Sequence, residues 1–257
     1  METGSTLSDI FSQLDVKMPY PPVSAKVNNK VEGLHYRVYN PKDIEYLDVT
    51  SASGSRAYTR TLFFVLCKAV HKLFPESNVV IDIPVSNGYY CDLRLGRPVT
   101  EADVDLIRGE MQSLVDRHLR IRRHQVPTDE AIRIFEDLGY KSKAMLLRTT
   151  GKLYTTYYDI EGFIDYFYGT MLINTAQLTL FGLEKYYDGL LLRIPSRQDP
   201  TSSRSTTAGR TCWACLPSER STRRSTAVLL PILLMCRRRC RRRRLRRLRR
   251  TSLASHV

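Results

Sequence analysis

Tyr58-Thr-Arg-Thr-Leu-Phe-Phe-Val-Leu-Cys-Lys-Ala-Val-His-Lys-Leu-Phe-Pro75 carries the strongest helical period in the chain. Leu62, Leu66, Ala69 and Leu73 recur at intervals of four, three and four, and Phe63 and Val70 widen the stripe. That spacing puts the apolar side chains on one face of a helix, which Pro75 ends. Downstream, Val79–Ile83 and Tyr89–Leu93 read as strands around Ser86-Asn87-Gly88. Thr100 starts a second helix: Asp103 lies at the distance of a capping box, and Val104, Ile107, Met111 and Leu114 form the buried face. Leu119–Val126 reads as a strand with Arg120 and Arg122 on one face, and a third helix runs from Thr128 to Leu138, stopped by Gly139. Met145–Ile194, rich in Tyr and Phe, reads as mostly strand.

Upstream, Ser51–Ser55 reads as a Ser/Gly linker. A short amphipathic helix begins at Ser8, Asp9 and Ile10, and Met18-Pro-Tyr-Pro-Pro ends it, because successive prolines lack the donors and the φ range of a helix. Val23–Val27 and Val31–Tyr36 are extended runs around Asn28-Asn29, a pair that tolerates left-handed φ, and Ile44–Val49 adds another strand. Helices and strands mixed without regular βαβ alternation make this an α+β chain.

Charge divides the 257 residues in two. Residues 201–257 hold 16 of the 40 Lys+Arg, all arginine, against the single acid Glu219, so of the net +14 they carry +15 and the rest of the chain is near neutral at −1. The periodic apolar pattern stops past Pro200, as in a disordered basic tail. No lysine follows Lys185, and the Arg, Ser, Thr, Pro and Cys usage is that of GC-rich DNA translated out of frame; a genuine nucleic-acid-binding arm is the other reading. Cys212, Cys215, Cys236 and Cys240 have the ligand types of a zinc site, but the second pair is spaced Cys-x-x-x-Cys among arginines that repel a dication, so no metal is expected. Ala227–Met235 is nine residues long with Pro231 inside, too short to span a bilayer, and no membrane partner is expected. The body reads as cytoplasmic.

Within the body, Cys67 and His71 lie one helical turn apart, the spacing of a thiol and a base, although a core-edge cysteine and a surface histidine satisfy the same pattern. Arg117, Arg120, Arg122 and Arg123, with His118 and His124, form the body's basic cluster, read as a solvated strand face or as an anion or RNA contact. Tyr154, Tyr157, Tyr158, Tyr166 and Tyr168 pack a sheet or stack on a nucleobase.

Two groups of motifs resemble a known family. Tyr20-Pro-Pro-Val-Ser-Ala-Lys-Val-Asn-Asn-Lys-Val-Glu-Gly-Leu34 with Ile44-Glu-Tyr-Leu-Asp-Val-Thr50 is similar to a TGS domain, the β-grasp module of threonyl-tRNA synthetases. Ala69-Val-His-Lys-Leu-Phe-Pro75, Asn87-Gly-Tyr-Tyr90 and Gly169-Thr-Met-Leu-Ile-Asn-Thr175 resemble those enzymes' second additional domain, which removes mischarged serine. The resemblance implies a TGS-like module over 1–50, its first hairpin falling outside this chain, and an editing-like domain over 56–197. It also implies an editing centre of a His-x-x-x-His and a Cys-x-x-x-His pair. The aligned positions here are Arg60 and Phe64, then Phe167 and Met171, which supply neither a base nor a metal ligand, so the expectation is a vestigial site with no catalytic residue.

Those departures, with Tyr158–Thr170 and Gly189-Leu-Leu-Leu-Arg-Ile-Pro195, resemble more closely the synthetase-like region of bacterial uridine-kinase-type nucleoside kinases. The implied function is a non-catalytic accessory region whose partner is a kinase domain in cis. ATP and Mg²⁺ belong to that domain, because residues 1–257 contain no Gly-x-x-x-x-Gly-Lys-Ser/Thr loop. The alternatives are an RNA- or ligand-binding module with a degenerate aminoacyl-tRNA editing site, and a residual aminoacyl-tRNA hydrolase.

Overall fold

The first strand, β1 (Ser5–Thr6), runs straight into α1 (Leu7–Gln13) because Thr6 closes a capping box: its hydroxyl accepts the Asp9 N–H at 3.2 Å, and the Asp9 carboxylate accepts the Thr6 N–H at 3.1 Å. The computed structural model describes residues 4–14, 16–85, 88–198 and 200, all within one compact unit. The arginine-rich tail and its four cysteines lie outside the described residues, as does Asn87. α1 ends before the proline run.

β2 (Ser24–Val27) is the middle strand of an antiparallel trio with β3 (Lys30–Glu32) on one side, while β4 (Arg37–Val38) pairs instead with β1, and β5 (Ile44–Leu47) completes the trio. Asn28 and Asn29, at φ 47° and 65°, make the two-residue turn between β2 and β3, as their side chains allow. The run expected over Val31–Tyr36 is broken after Glu32 by a turn in which the Tyr36 N–H bonds the Gly33 carbonyl at 2.9 Å. Leu7, Ala25, Val27 and Leu34 form a small core here, with Ile173 packed against it.

Ser51–Ser55 is not a linker. Ser51 caps α2 (Ala52–Leu73), its hydroxyl accepting the Gly54 N–H at 3.0 Å. Gly54 serves close approach rather than flexibility, since a Cβ there would overlap the Asp48 carbonyl oxygen. Leu62, Leu66, Ala69 and Val70 are buried as their spacing requires, and Phe64 and Val65 are buried as well, so α2 is covered on more than one face. Its partners include β6 (Val80–Val85), β7 (Gly88–Asp92) and α3 (Glu101–Asp116). Thr100 and Asp103 cap α3 reciprocally, and Val104, Ile107, Met111 and Leu114 enter the main core.

β8 (Arg122–Pro127), α4 (Thr128–Asp137) and α5 (Lys141–Thr149) follow. α5 replaces the expected start of a strand-rich region: Met145-Leu146-Leu147 looks like a strand run, yet only Ala144 and Leu147 are buried, three residues apart. β9 (Tyr154–Ile160) lies between β8 and β10 (Phe163–Asp165), and β11 (Gly182–Tyr186) and β12 (Gly189–Arg193) extend the β7–β6 pair into a four-stranded antiparallel sheet. The fold is α+β.

Candidate functional site

α2 and the segment after β10 are fastened to each other residue by residue. The Arg60 guanidinium donates to the Thr170 carbonyl at 3.2 Å, and the Leu172 N–H donates to the Thr61 hydroxyl at 3.0 Å. Phe64 meets Phe167 edge on, ring centroids 5.6 Å apart. Met171 is fully buried in the same core as Phe64. The buried Tyr158 hydroxyl, on β9, donates to the Gly169 carbonyl at 2.7 Å. Gly169 has φ +109°, and a Cβ there would stand 2.8 Å from the Arg60 Cζ.

Beside this junction is a cleft of about 390 Å³. One wall comes from β3 and the turn after it, with Lys30, Glu32 and His35; the others come from the start of α2, from β8 and β9, and from residues 166–170. Five cationic side chains line it, Lys30, Arg56, Arg60, Arg123 and Lys152, against one carboxylate, Glu32, which Lys30 pairs at 2.8 Å. Among the described residues none of the other four pairs with a carboxylate: Arg56 bonds the Ser53 hydroxyl, Arg60 the Thr170 carbonyl, Arg123 the Thr156 hydroxyl, and Lys152 lies 4.6 Å from the Tyr168 ring centre. Several cations elsewhere do have carboxylate partners, as in the Arg97–Asp103 fork at 2.6 and 2.8 Å and the Lys72–Glu110 pair.

The electrostatics follow from this crowding. Burial, and the Arg56 guanidinium one turn away, hold Arg60 below the usual arginine value. Burial, with the Arg123 charge nearby, pushes His35 down to about 4, so its imidazole is neutral near pH 7. Like charges four apart on a helix repel.

Compared with curated proteins, the chain is similar to threonine–tRNA ligases. It is 25% identical to that of Acetivibrio thermocellus over 181 residues, covering 70% of this chain and 28% of the relative. The figures for the Symbiobacterium thermophilum and Methylobacillus flagellatus ligases are 26% and 27%, with the same coverage. The chain contains a threonyl-tRNA-synthetase-like region. It spans a little over a quarter of the length of these relatives, and no family model matches it.

In this synthetase-like region the four positions singled out from the sequence fall together: Arg60 and Phe64 reach the 167–170 segment directly, and Met171 joins them in the core. The basic cluster does not stay together. Arg123 enters the cleft, but Arg117, ending α3, pairs with Glu161, and Arg122 takes the alternate face of β8 from Arg123. Arg120 precedes β8 and bridges Asn174, where Leu119 and Ile121 are tied to Thr175 and Ile173, outside the cleft lining.

Tyr154, Tyr158, Tyr166 and Tyr168 line the cleft, whereas Tyr157 packs on Phe135. Burial pushes the Cys67 thiol up to about 12, away from the thiolate a nucleophile needs, and His71 packs on Phe163 at 5.3 Å. Sequence reasoning missed Lys30, His35, Arg56 and Lys152, which are dispersed over more than 120 positions; the one local signal was the i,i+4 pair Arg56 and Arg60. Among the described residues there is no group of three His, Cys, Asp or Glu that could hold a metal, and no helix is long and apolar enough to cross a membrane.

Proposed function

We propose that this region is a binding module descended from a synthetase-type editing domain, in which the cleft attracts anions and the hydrolytic groups are gone. One observation carries this reading: a guanidinium, two phenyl rings and a thioether occupy the junction of α2 with residues 167–171, beside a cleft lined by five cations and one carboxylate. Arginine stays protonated near neutral pH, and phenylalanine and methionine neither transfer protons nor hold a hard metal ion. Binding without chemistry is what such a set supports.

The finer reading is an accessory region of a cytoplasmic uridine-kinase-like nucleoside kinase, supported by the resemblance of Tyr158–Thr170 and Gly189–Pro195. ATP and Mg²⁺ then act in a kinase domain joined to this region, and this chain alone phosphorylates nothing. A second reading, an RNA-binding module, is favoured by the exposed Tyr154 and Tyr168 beside the cationic wall.

The test is a pair of activity assays on the purified chain: hydrolysis of serine-charged tRNA, and phosphorylation of uridine and cytidine with Mg-ATP. Neither is expected above the buffer rate. Deacylation that scales with protein concentration restores the hydrolase reading, and nucleoside phosphorylation overturns the accessory one.

A further inference from the structure

We infer that the ligand of the cleft is a nucleoside polyphosphate, bound with its phosphates among Arg56, Arg60 and Arg123 and its base against Tyr168. The inference rests on the anion-binding reading above and gives it a ligand class. Three features lead to it.

The first is charge. With Glu32 taken by Lys30, four cations remain without a carboxylate partner, enough to match a di- or triphosphate and more than one carboxylate or sulfate requires. Two are arginines one helical turn apart on α2, and the third comes from β8; all three line the cleft, and the buried Tyr158 lies close enough to feel both the Arg60 and Arg123 charges. Guanidinium groups bind phosphate oxygens through paired N–H donors, and several converging on one site suit a chain of phosphates.

The second is the aromatic surface. Tyr168 is 74% exposed although it lines the cleft, with Lys152 over its ring; a tyrosine whose role was packing would be covered. An exposed aromatic ring beside cations is a stacking surface for a base.

The third is size. A cleft of about 390 Å³ falls within the range of small-molecule sites, roughly 300–1,000 Å³. Among the described residues no group of three His, Cys, Asp or Glu could hold a metal there, His35 is a poor proton acceptor because burial pushes it down to about 4, and Glu32 is paired with Lys30.

Isothermal titration of the full chain tests this, with ATP, UTP and inorganic tripolyphosphate as probes and a short single-stranded RNA as a fourth arm. Arginine-rich residues 201–257 attract polyphosphate in every arm, so differences between wild type and cleft variants are the readout. Both nucleotides are expected to bind about tenfold more tightly than tripolyphosphate. The Arg56→Ala change, on an exposed side chain, and the Arg60→Met change are each expected to weaken both classes at least about fivefold. Tyr168→Ala is expected to weaken the nucleotides alone. If Arg60→Met fails to fold, Arg56→Ala still decides the phosphate part.

Equal affinity for nucleotides and tripolyphosphate, with Tyr168→Ala silent, would overturn the nucleotide assignment and leave the anion cleft standing. Variants that bind every probe like wild type would overturn both. RNA binding at least tenfold tighter than either nucleotide, lost with Arg56→Ala, would replace the nucleotide by a strand.

Discussion

The Arg60 guanidinium hydrogen-bonds the Thr170 carbonyl at 3.2 Å, joining residues 110 apart in sequence across the candidate site. The contact exists because the neighbouring residue is Gly169: its φ of +109° disfavours any side chain, and the guanidinium fills the space a Cβ would take.

Gly169→Ala should therefore do two things. Backbone strain should lower stability by about 1–3 kcal/mol, and the displaced guanidinium should weaken anion binding. Urea unfolding and a binding titration measure the two separately; unchanged affinity in a folded Gly169→Ala protein would show that Arg60 does not serve the cleft.

Thr61 fixes the other side of the same junction. Its buried hydroxyl accepts the Leu172 N–H at 3.0 Å and donates to the Ala57 carbonyl at 2.9 Å. Thr61→Val keeps the shape and orphans a buried N–H, which costs about 1–3 kcal/mol. The denaturation midpoint should fall with an unchanged denaturant slope, and a loss below about 0.5 kcal/mol would mean that the segment is held by packing alone.

How much of this was legible in the sequence depended on range. α3 was readable because Thr100, Asp103 and the Val104, Ile107, Met111, Leu114 stripe are local signals, and the Asn28-Asn29 turn for the same reason. Ser51–Ser55 misled because small residues chosen for close approach resemble small residues chosen for flexibility. α5 was missed because it buries only one narrow side, leaving Met145 and Leu146 exposed. The convergence of Arg60 and Phe64 with Phe167 was reachable through resemblance. The cleft's charge was not, since Lys30, Arg56, Arg123 and Lys152 come from separate elements and only tertiary packing gathers them.

Asp103 joins helix capping to an ion pair. The Arg97 fork first, and the Thr100 N–H and hydroxyl after it, hold its carboxyl well below the usual carboxylate range despite the opposing effect of burial. Asp103→Ala should cost about 1–3 kcal/mol, within the range of a lost cap and a charge-assisted bond. Because the folded pKa is depressed, the Asp103 contribution is present above the unfolded carboxylate value and is lost only as pH falls below it. Urea titrations at pH 7 and pH 3 check the sign, and a larger Asp103→Ala effect at pH 3 would contradict it.

His35 makes stability depend on pH in a different window. Its folded value of about 4 lies under the ordinary 6.5, so between the two the unfolded chain binds more protons and stability falls as pH drops from about 6.5 to about 4. The full difference is roughly 3 kcal/mol at most. His35→Gln should flatten that part of the pH–stability curve while leaving stability above pH 7 nearly unchanged. Identical pH–stability slopes for wild type and His35→Gln would place the histidine in solvent.

The central claim is that Arg56, Arg60 and Arg123 form one anion-binding set although they come from two elements of the fold. Side-chain Nε–Hε resonances of arginine, assigned by single Arg→Lys changes and followed while tripolyphosphate is added to the full chain, test it most directly. The account predicts that the three signals move together along one saturation curve, while Arg117, paired with Glu161, stays in place. Movement of Arg117 alongside them, or three signals that shift on separate curves, would contradict it.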